Sequence, residues 1–309
     1  MPSSPTPRFP PTAVLFVGVL AISSSSILIR IVQDQAVPSL VIAAWRLTLA
    51  TAVLLPLTLT TRRTELAALS PPAWRLALLS GLLLAVHFAS YVSALAYTSV
   101  ASATVLATSS PLWVGLASPL LLHEALSRHL RLGIALALLG SVFIGLADVV
   151  AVVDGRFLFS LTRFTAQPNP LLGNGLALLA ALTAAGYLII GRRLRPSLSL
   201  LGYTTLVYGS AALCLLMFAL AARLPLFGYP PLAYLLMLLM ALFPQLIGHS
   251  SYNWALGYLP AAYVSVAVIS EPIGASLLAL LLFAELPNHL TLLGSALLLA
   301  GILVASRRT

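Results

Sequence analysis

The chain has 309 residues, of which 60% are hydrophobic and only 7% charged, and its mean hydropathy is +1.05. So few polar groups cannot clothe a water-soluble surface of this size, and the chain reads as an integral membrane protein. The net charge of +9 raises nucleic acid as a partner, but every basic residue is an arginine and these follow the loops rather than one patch, so nucleic acid is set aside.

A Pro-rich leader, Pro2 to Pro11, precedes the first apolar run at 12–32. That run has span length and no convincing small-residue cleavage site after it, so it is expected to be a retained helix rather than a signal peptide. Further runs lie at 39–60, 74–97, 99–122, 130–150, 171–191, 200–222, 231–252, 261–283 and 289–306. Crossing roughly 30 Å of hydrocarbon takes about 20 helical residues. None of the runs alternates polar and apolar residues, which favours helices over barrel strands.

Connections are short: Tyr97 and Thr98 nearly join spans three and four, and Gly257 to Pro260 join eight and nine. The exception is Val152 to Pro170. It carries Asp154, Gly155, Arg156 and Arg163, together with Phe157, Phe159 and Phe164. A plain linker and a lid over the outer mouth are both open readings. The chain therefore divides into a first five-helix repeat over 1–150, an inter-repeat outer loop over 151–170 and a second repeat over 171–309.

The division rests on an internal repeat. Tyr91, Tyr97, Pro111, Glu124, Gly133 and Gly140 recur 161 residues later as Tyr252, Tyr258, Pro272, Glu285, Gly294 and Gly301. Between Ser90–Gly140 and Ser251–Gly301, 19 of 51 positions are identical, and the Tyr, Pro, Glu and Gly matches carry weight that Leu and Ala matches do not. A repeat of five spans enters the membrane in opposite senses in its two copies. The expected fold class is an all-α integral membrane protein, with ten transmembrane helices as two inverted five-helix repeats.

Charge orients it. With a cytoplasmic N-terminus, eleven arginines lie inside: Arg8, Arg62, Arg63, Arg75, Arg128, Arg131, Arg192, Arg193, Arg195, Arg307 and Arg308. Only Arg30, Arg156, Arg163 and Arg223 lie outside, and Arg46 falls within a span. The excess of inside arginines places both termini in the cytoplasm, in a multi-pass protein of the cell (inner) membrane. The single cysteine, Cys214, lies inside span seven and excludes an intrachain disulfide.

Ser270-Glu271-Pro272 followed by Leu281-Leu282-Phe283-Ala284-Glu285 is similar to the "EP…LLLGE" signature of the EamA-type drug/metabolite transporter superfamily. Its first-half echo is Ser110-Pro111 with Leu120-Leu121-Leu122-His123-Glu124, and Trp45-Arg46 resembles the family's arginine-containing second helix. The resemblance implies that spans one to four and six to nine surround a central cavity, with five and ten outside. Two departures stand out. Ser23 to Ser26 replace a Trp-Gly or Asn-rich segment, and Ser110 stands where the repeat would put an acid opposite Glu271.

Within the spans, a charge costs roughly 2.5 to 3.5 kcal/mol at mid-membrane on insertion scales, so Glu271 and Arg46 need a partner or water. An Arg46–Glu271 pair broken by arriving substrate would couple binding to movement. A protonated Glu271, or one capping a helix broken at Pro272, is equally open, as is a snorkelling Arg46. On an α-helix, Gln245, His249, Tyr252 and Asn253 share one face. His87, Ser90 and Tyr91 form the counterpart in span three. Each histidine is open between core and functional roles. Span nine adds Tyr263, Ser270 and Gly274, and span four adds Ser109 and Ser110. Pro111 and Pro272 are candidate gating kinks or fixed packing kinks. The small residues Gly133, Ala137 and Ser141 suit close helix packing within the chain or a dimer contact. Glu124 and Glu285 read as helix caps. Tyr187, Tyr203 and Tyr208 are open between cavity wall and interfacial anchor.

These features point to a secondary transporter, and an exporter of small metabolites such as amino acids or related compounds, working by alternating access. Its expected partners are a small-molecule substrate, the lipid bilayer and protons, in a monomer or homodimer, with no cofactor and no metal. The absence of P-loop, His-Glu-x-x-His and Gly-x-Ser-x-Gly motifs argues against ATP drive and against an enzyme. The alternatives are an intramembrane lipid-modifying enzyme and a relative carrying drugs or nucleotide sugars; for the last, Arg46 is the one cavity cation to meet a phosphate.

Overall fold

The computed structural model describes residues 9–121, 127–146, 150–153, 156–159, 169–284 and 289–305. The first half opens with α1 (Pro11–Ser23) and α2 (Ser25–Gln33), one apolar rod with a hitch at Ser24. The hydroxyls of Ser23 and Ser24 donate back to the carbonyls of Val19 and Ala21, each at 2.9 Å, a local competition that loosens the helix there. Then come α3 (Ser39–Thr61), the short α4 (Arg63–Ala67), α5 (Pro71–Ala94), α6 (Val100–Ala107), α7 (Ser110–Leu121) and α8 (Arg128–Leu146). Serines start several of them. Ser70, Ser99 and Ser199 each accept from a backbone N–H three residues on, supplying the acceptor that a helix start lacks.

Two strands follow α8. β1 (Val150–Val153) pairs antiparallel with β2 (Arg156–Phe159), Val150 opposite Phe159 and Val153 opposite Arg156. The loop between the halves, expected to be a linker or lid, thus begins as a β-ribbon, an addition to the all-helical expectation. Asp154-Gly155, the pair between the strands, is the sequence signal for a two-residue hairpin. The rest of the postulated lid, 160–168, lies outside the described residues, as do Glu124, Glu285 and the terminal arginines.

The second half contains α9 (Pro170–Leu194), α10 (Leu200–Ala221), α11 (Pro231–Met240), a π-helical segment (Ala241–His249), α12 (Ser250–Ala255), α13 (Ala261–Val268), α14 (Glu271–Phe283) and α15 (His289–Ala305). Among the described residues eight rods are long and apolar enough to cross a membrane, their ends within a few residues of those expected. The partners of the fifth and tenth expected spans, α8 of 19 residues and α15 of 17, lie against each other. A Cβ added at Gly301 would stand 2.6 Å from the Gly133 carbonyl oxygen and 2.8 Å from Ala137 N, so the two backbones touch. The small-residue stripe of α8 is spent on this contact within the chain.

The helix contacts come in swapped couples. Where α5 packs on α9, the rod α1 packs on the π segment and α12; where α6 and α7 pack on α9, α13 and α14 pack on α1. Helices at matching places in the two halves meet directly, α3 with α10 and α8 with α15, while the fourth and ninth spans meet crosswise, α6 with α14 and α7 with α13. Similar sequences have similar apolar faces, so each half offers the other the surface it needs in return.

Candidate functional site

Two breaks set the level of the site. The fourth span divides at Thr108 and Ser109, and the ninth at Ile269 and Ser270, positions related by the 161-residue offset. Pro111 and Pro272 are therefore not interior prolines of unbroken helices, as the sequence suggested. Each is the second residue of a new helix, where its missing N–H is harmless and its fixed φ suits the first turn. The serine at each break turns back in the same way in both halves: Ser109 Oγ donates to Leu106 O at 2.7 Å, and Ser270 Oγ donates to Ala267 O. Ser109 and Ser270 thus serve the backbone rather than the cavity.

Beside the breaks is a cavity of about 40 Å³, walled by residues of both halves. Of the residues singled out in the sequence, Arg46, His87, Tyr91, Ser110, Tyr187, His249, Tyr252 and Glu271 line it, joined by Ser25 and Phe88. Ser109, Gln245, Asn253 and Ser270 do not. No residue of α8, α10 or α15 is among the lining residues, so the two outlying helices stand away from it as the resemblance implies.

The centre of the wall is aromatic. The Phe88 and His249 rings meet edge to face with centroids 5.1 Å apart, His87 stacks on Tyr91 at 6.0 Å, and His249 meets Tyr252 at 5.9 Å. Tyr91 and Tyr252 are repeat equivalents, and so are Phe88 and His249. His87 Nδ1 donates to the Ala180 carbonyl at 2.9 Å, which makes Nε2 the acceptor of the neutral ring.

Arg46 is 1% exposed. Its Nε donates to Gln245 Oε1 at 2.9 Å, its Nη1 to Ser25 Oγ at 2.7 Å, and its guanidinium carbon lies 4.4 Å from the Phe88 ring centroid. The expected Arg46–Glu271 ion pair is not formed: among the described residues the arginine leans on neutral acceptors and an aromatic face instead. Glu271 begins α14, where the positive end of the helix dipole favours a carboxylate. The Tyr91 hydroxyl lies beside its carboxyl. Several buried polar atoms here have no partner: Arg46 Nη2, Gln245 Nε2, His249 Nδ1 and the hydroxyls of Tyr91 and Tyr252.

The polar stripe expected on span eight is split by the π segment. Pro244 lies within it and lacks the N–H that an α-helix needs at that point. The wider turn leaves His249 and Tyr252 in the cavity wall and takes Asn253 out of it. Asn253 accepts from the Tyr187 hydroxyl and donates to Tyr208 Oη at 3.1 Å, and Tyr208 meets Ser250 Oγ at 3.2 Å. Tyr203 and Tyr208 are fully buried and take part in helix packing, not interfacial anchoring; Tyr203 contacts Ser80 Oγ at 3.0 Å. Tyr263, Ser270 and Gly274 line a separate groove of about 380 Å³ between α1 and the ninth span, with Phe16 and Leu20.

Two polar clasps tie helix ends. At one, Gln33 Nε2 donates to Val92 O at 2.7 Å and Arg30 Nη2 to Thr98 O at 3.0 Å. At the other, Arg195 Nε donates to Asn253 O at 2.9 Å and Arg192 Nη1 to Leu256 O at 3.1 Å. Val92 and Asn253 are the same position of the repeat. Beyond the loop arginines, nothing in the sequence pattern marks these clasps.

The profile of the EamA-like transporter family matches residues 11–146 and again residues 171–307. The chain belongs to the EamA-like transporter family. Two matches, one to each half, agree with the division drawn from the repeat, and membership makes it a membrane transporter of the drug/metabolite type. A solved crystal structure is similar over 96% of this chain and 96% of its own, with a TM-score of 0.68 at 21% sequence identity, a likeness of fold alone. No curated protein matches the sequence.

Proposed function

We propose that this EamA-like protein is a secondary transporter that exports small metabolites, amino acids and related compounds first among them, by alternating access around the central cavity. Its ten spans are the eight long rods together with α8 and α15, arranged as two inverted halves. The observation that carries this reading is the cavity wall: Tyr91 with Tyr252, and Phe88 with His249, bring the same two repeat positions from both halves to one place. A wall shared by equivalent elements is what rocking of one half against the other requires. The mirrored clasps support it, since each ties the end of one repeat's first span to the end of its third.

The protein sits in the cell membrane with both termini in the cytoplasm, an orientation supported by the arginine bias. It acts as a monomer or homodimer. Glu271, buried and facing the cavity without a cation on it, is the group through which protons would couple to transport. Counterflow in vesicles reconstituted with purified protein tests the reading: preloaded amino acids should drive uptake of labelled ones, and His249→Ala should slow it. Absence of flux with amino acids, neutral metabolites and organic cations alike would overturn it.

A further inference from the structure

We propose that the groove between α1 and the ninth span is a binding site for one acyl chain of a bilayer lipid, drawn from the leaflet at the N-terminal end of α1. The inference uses only the chain's place in a membrane and does not depend on what the central cavity carries. The groove runs along α1 from Thr12 to Ser23 and along the ninth span from Tyr263 to Gly274. Eleven residues of α1 cover about 16 Å at 1.5 Å per residue, roughly half of the 30 Å of hydrocarbon and so the depth of one leaflet. At its inner end the walls touch: a Cβ added at Gly274 would stand 2.4 Å from Ser23 Oγ and 2.7 Å from Ser23 Cβ. The groove opens beside Phe16 and Leu20, 64% and 60% exposed, side chains that meet lipid in a membrane protein. It is therefore continuous with the face that the bilayer already covers.

Its chemistry suits a hydrocarbon chain. Leu15, Val19, Val266, Ala267 and Ile273 supply most of the wall. The two serines have their hydrogens committed to the backbone, Ser23 Oγ donating to Val19 O at 2.9 Å and Ser270 Oγ to Ala267 O. Water in such a slot lacks the two to four polar partners that hold it in place. Left empty, a slot of about 380 Å³ would forfeit packing contacts along its whole length. Thr12 and Tyr263 stand at the outer end, where polar-tipped side chains meet the headgroups.

The first half shows the same junction closed. There α6 and α7 pack on α9, and the repeat counterparts of Phe16, Val19 and Leu20 are Ala177, Ala180 and Ala181, each 0% exposed. Gly173 replaces Thr12, and a Cβ on it would stand 2.8 Å from Thr98 Cβ; Trp113 replaces Gly274. Small residues on α9 let the helices close on each other, whereas the larger side chains of α1 hold the second junction open. The groove is thus written into the α1 sequence. Ser23 and Ser270 line it, while their neighbours Ile22 and Glu271 line the central cavity, so a lodged chain bears on the break at Ile269–Ser270 from the lipid side.

The test is photo-crosslinking of the full chain in nanodiscs of phosphatidylcholine doped with a phosphatidylcholine that carries a diazirine on one acyl chain, with adducts mapped by mass spectrometry. The expected result is a severalfold higher yield at Leu15, Val19 and Ala267 than at Leu213 and Leu220, which are exposed on α10. Val19→Phe and Ala267→Phe plug the slot from either wall, and each should bring the groove yield down to that of α10. Each should also diminish the rise in melting temperature that added phosphatidylcholine gives the detergent-purified protein. Should either variant fail to fold, the yield ratio on the unaltered protein decides. Yields no higher in the groove than on α10 overturn the assignment, as do plugged variants that keep the excess. A groove free of adducts overturns it too, the outcome if the N-terminal leader or a second copy of the chain fills the slot. The readout is a covalent adduct rather than flux, so failure here leaves the transport reading standing, and absence of flux leaves the lipid site standing.

Discussion

Phe88 and His249 hold the same position in the two repeats and meet edge to face across the cavity, ring centroids 5.1 Å apart, with Arg46 lying over Phe88 at 4.4 Å. One contact therefore joins the halves and steadies the buried cation. Replacing His249 by Ala should lower the initial rate of vesicle counterflow on the order of tenfold while the melting temperature falls only slightly. Phe88→Leu keeps an apolar side chain but removes the aromatic face, which is worth about 2 kcal/mol when desolvated. It should lower both rate and stability. Flux equal to that of the unaltered protein in both variants would remove this contact from the mechanism.

Asn253 is a knot in the helix packing rather than a cavity residue. It joins Tyr187 to Tyr208, and its carbonyl receives Arg195. Asn253→Leu would strand the buried Tyr187 hydroxyl, at about 1 to 3 kcal/mol for a group left unpaired, and would leave Tyr208 with Ser250 alone. The expected outcome is a clear drop in melting temperature, followed by tryptophan fluorescence or a thiol-reactive dye. The transport KM should change little, and a large KM change at unaltered melting temperature would return Asn253 to the site.

How much of this was legible in the sequence follows from what a membrane makes conspicuous. Arg46, His87, Glu271 and the Tyr91/Tyr252 pair stand out because polar residues are rare in hydrocarbon and repeat positions are marked by offset. The placement of Gln245 and Asn253 failed because it assumed α-helical spacing through Ala241–His249, where the chain is π-helical. Phe88 was invisible among many apolar residues, although its repeat partner His249 pointed at it. The prolines were legible as breaks but not as helix starts, since only the structure shows the turns at Thr108–Ser109 and Ile269–Ser270 that precede them. The β-ribbon was missed although Asp154-Gly155 is a hairpin pair.

The α8–α15 contact depends on the absence of a side chain at Gly301. A Cβ there meets backbone atoms, which cannot swing aside. Gly301→Ala should force the two helices apart and lower the melting temperature by several degrees, and Gly301→Leu should do so further. Because neither helix lines the cavity, the rate of vesicle counterflow per folded protein should be unchanged. An unaltered melting temperature in Gly301→Leu would show that the helices do not touch there.

The clasps predict opposite effects on access. If the halves are inverted as proposed, the Gln33–Val92 clasp and the Arg195–Asn253 clasp would lie at opposite mouths of the cavity, each holding one end of its half closed. Loss of a clasp removes bonds from the state that it closes and shifts the population towards opening on its own side. Arg195 carries the charge-assisted bond, so its loss should act more strongly than that of Gln33. The measurement is the labelling rate of a cysteine placed at Ser110 in a Cys214→Ser background, with a membrane-impermeant reagent applied from one side of oriented vesicles. Arg195→Ala should speed labelling from the cytoplasmic side and slow it from the other, and Gln33→Ala should do the reverse. Equal changes on both sides would mean that the clasps only stabilise the fold, and faster labelling from the wrong side would mean that the halves are not mounted in opposite senses.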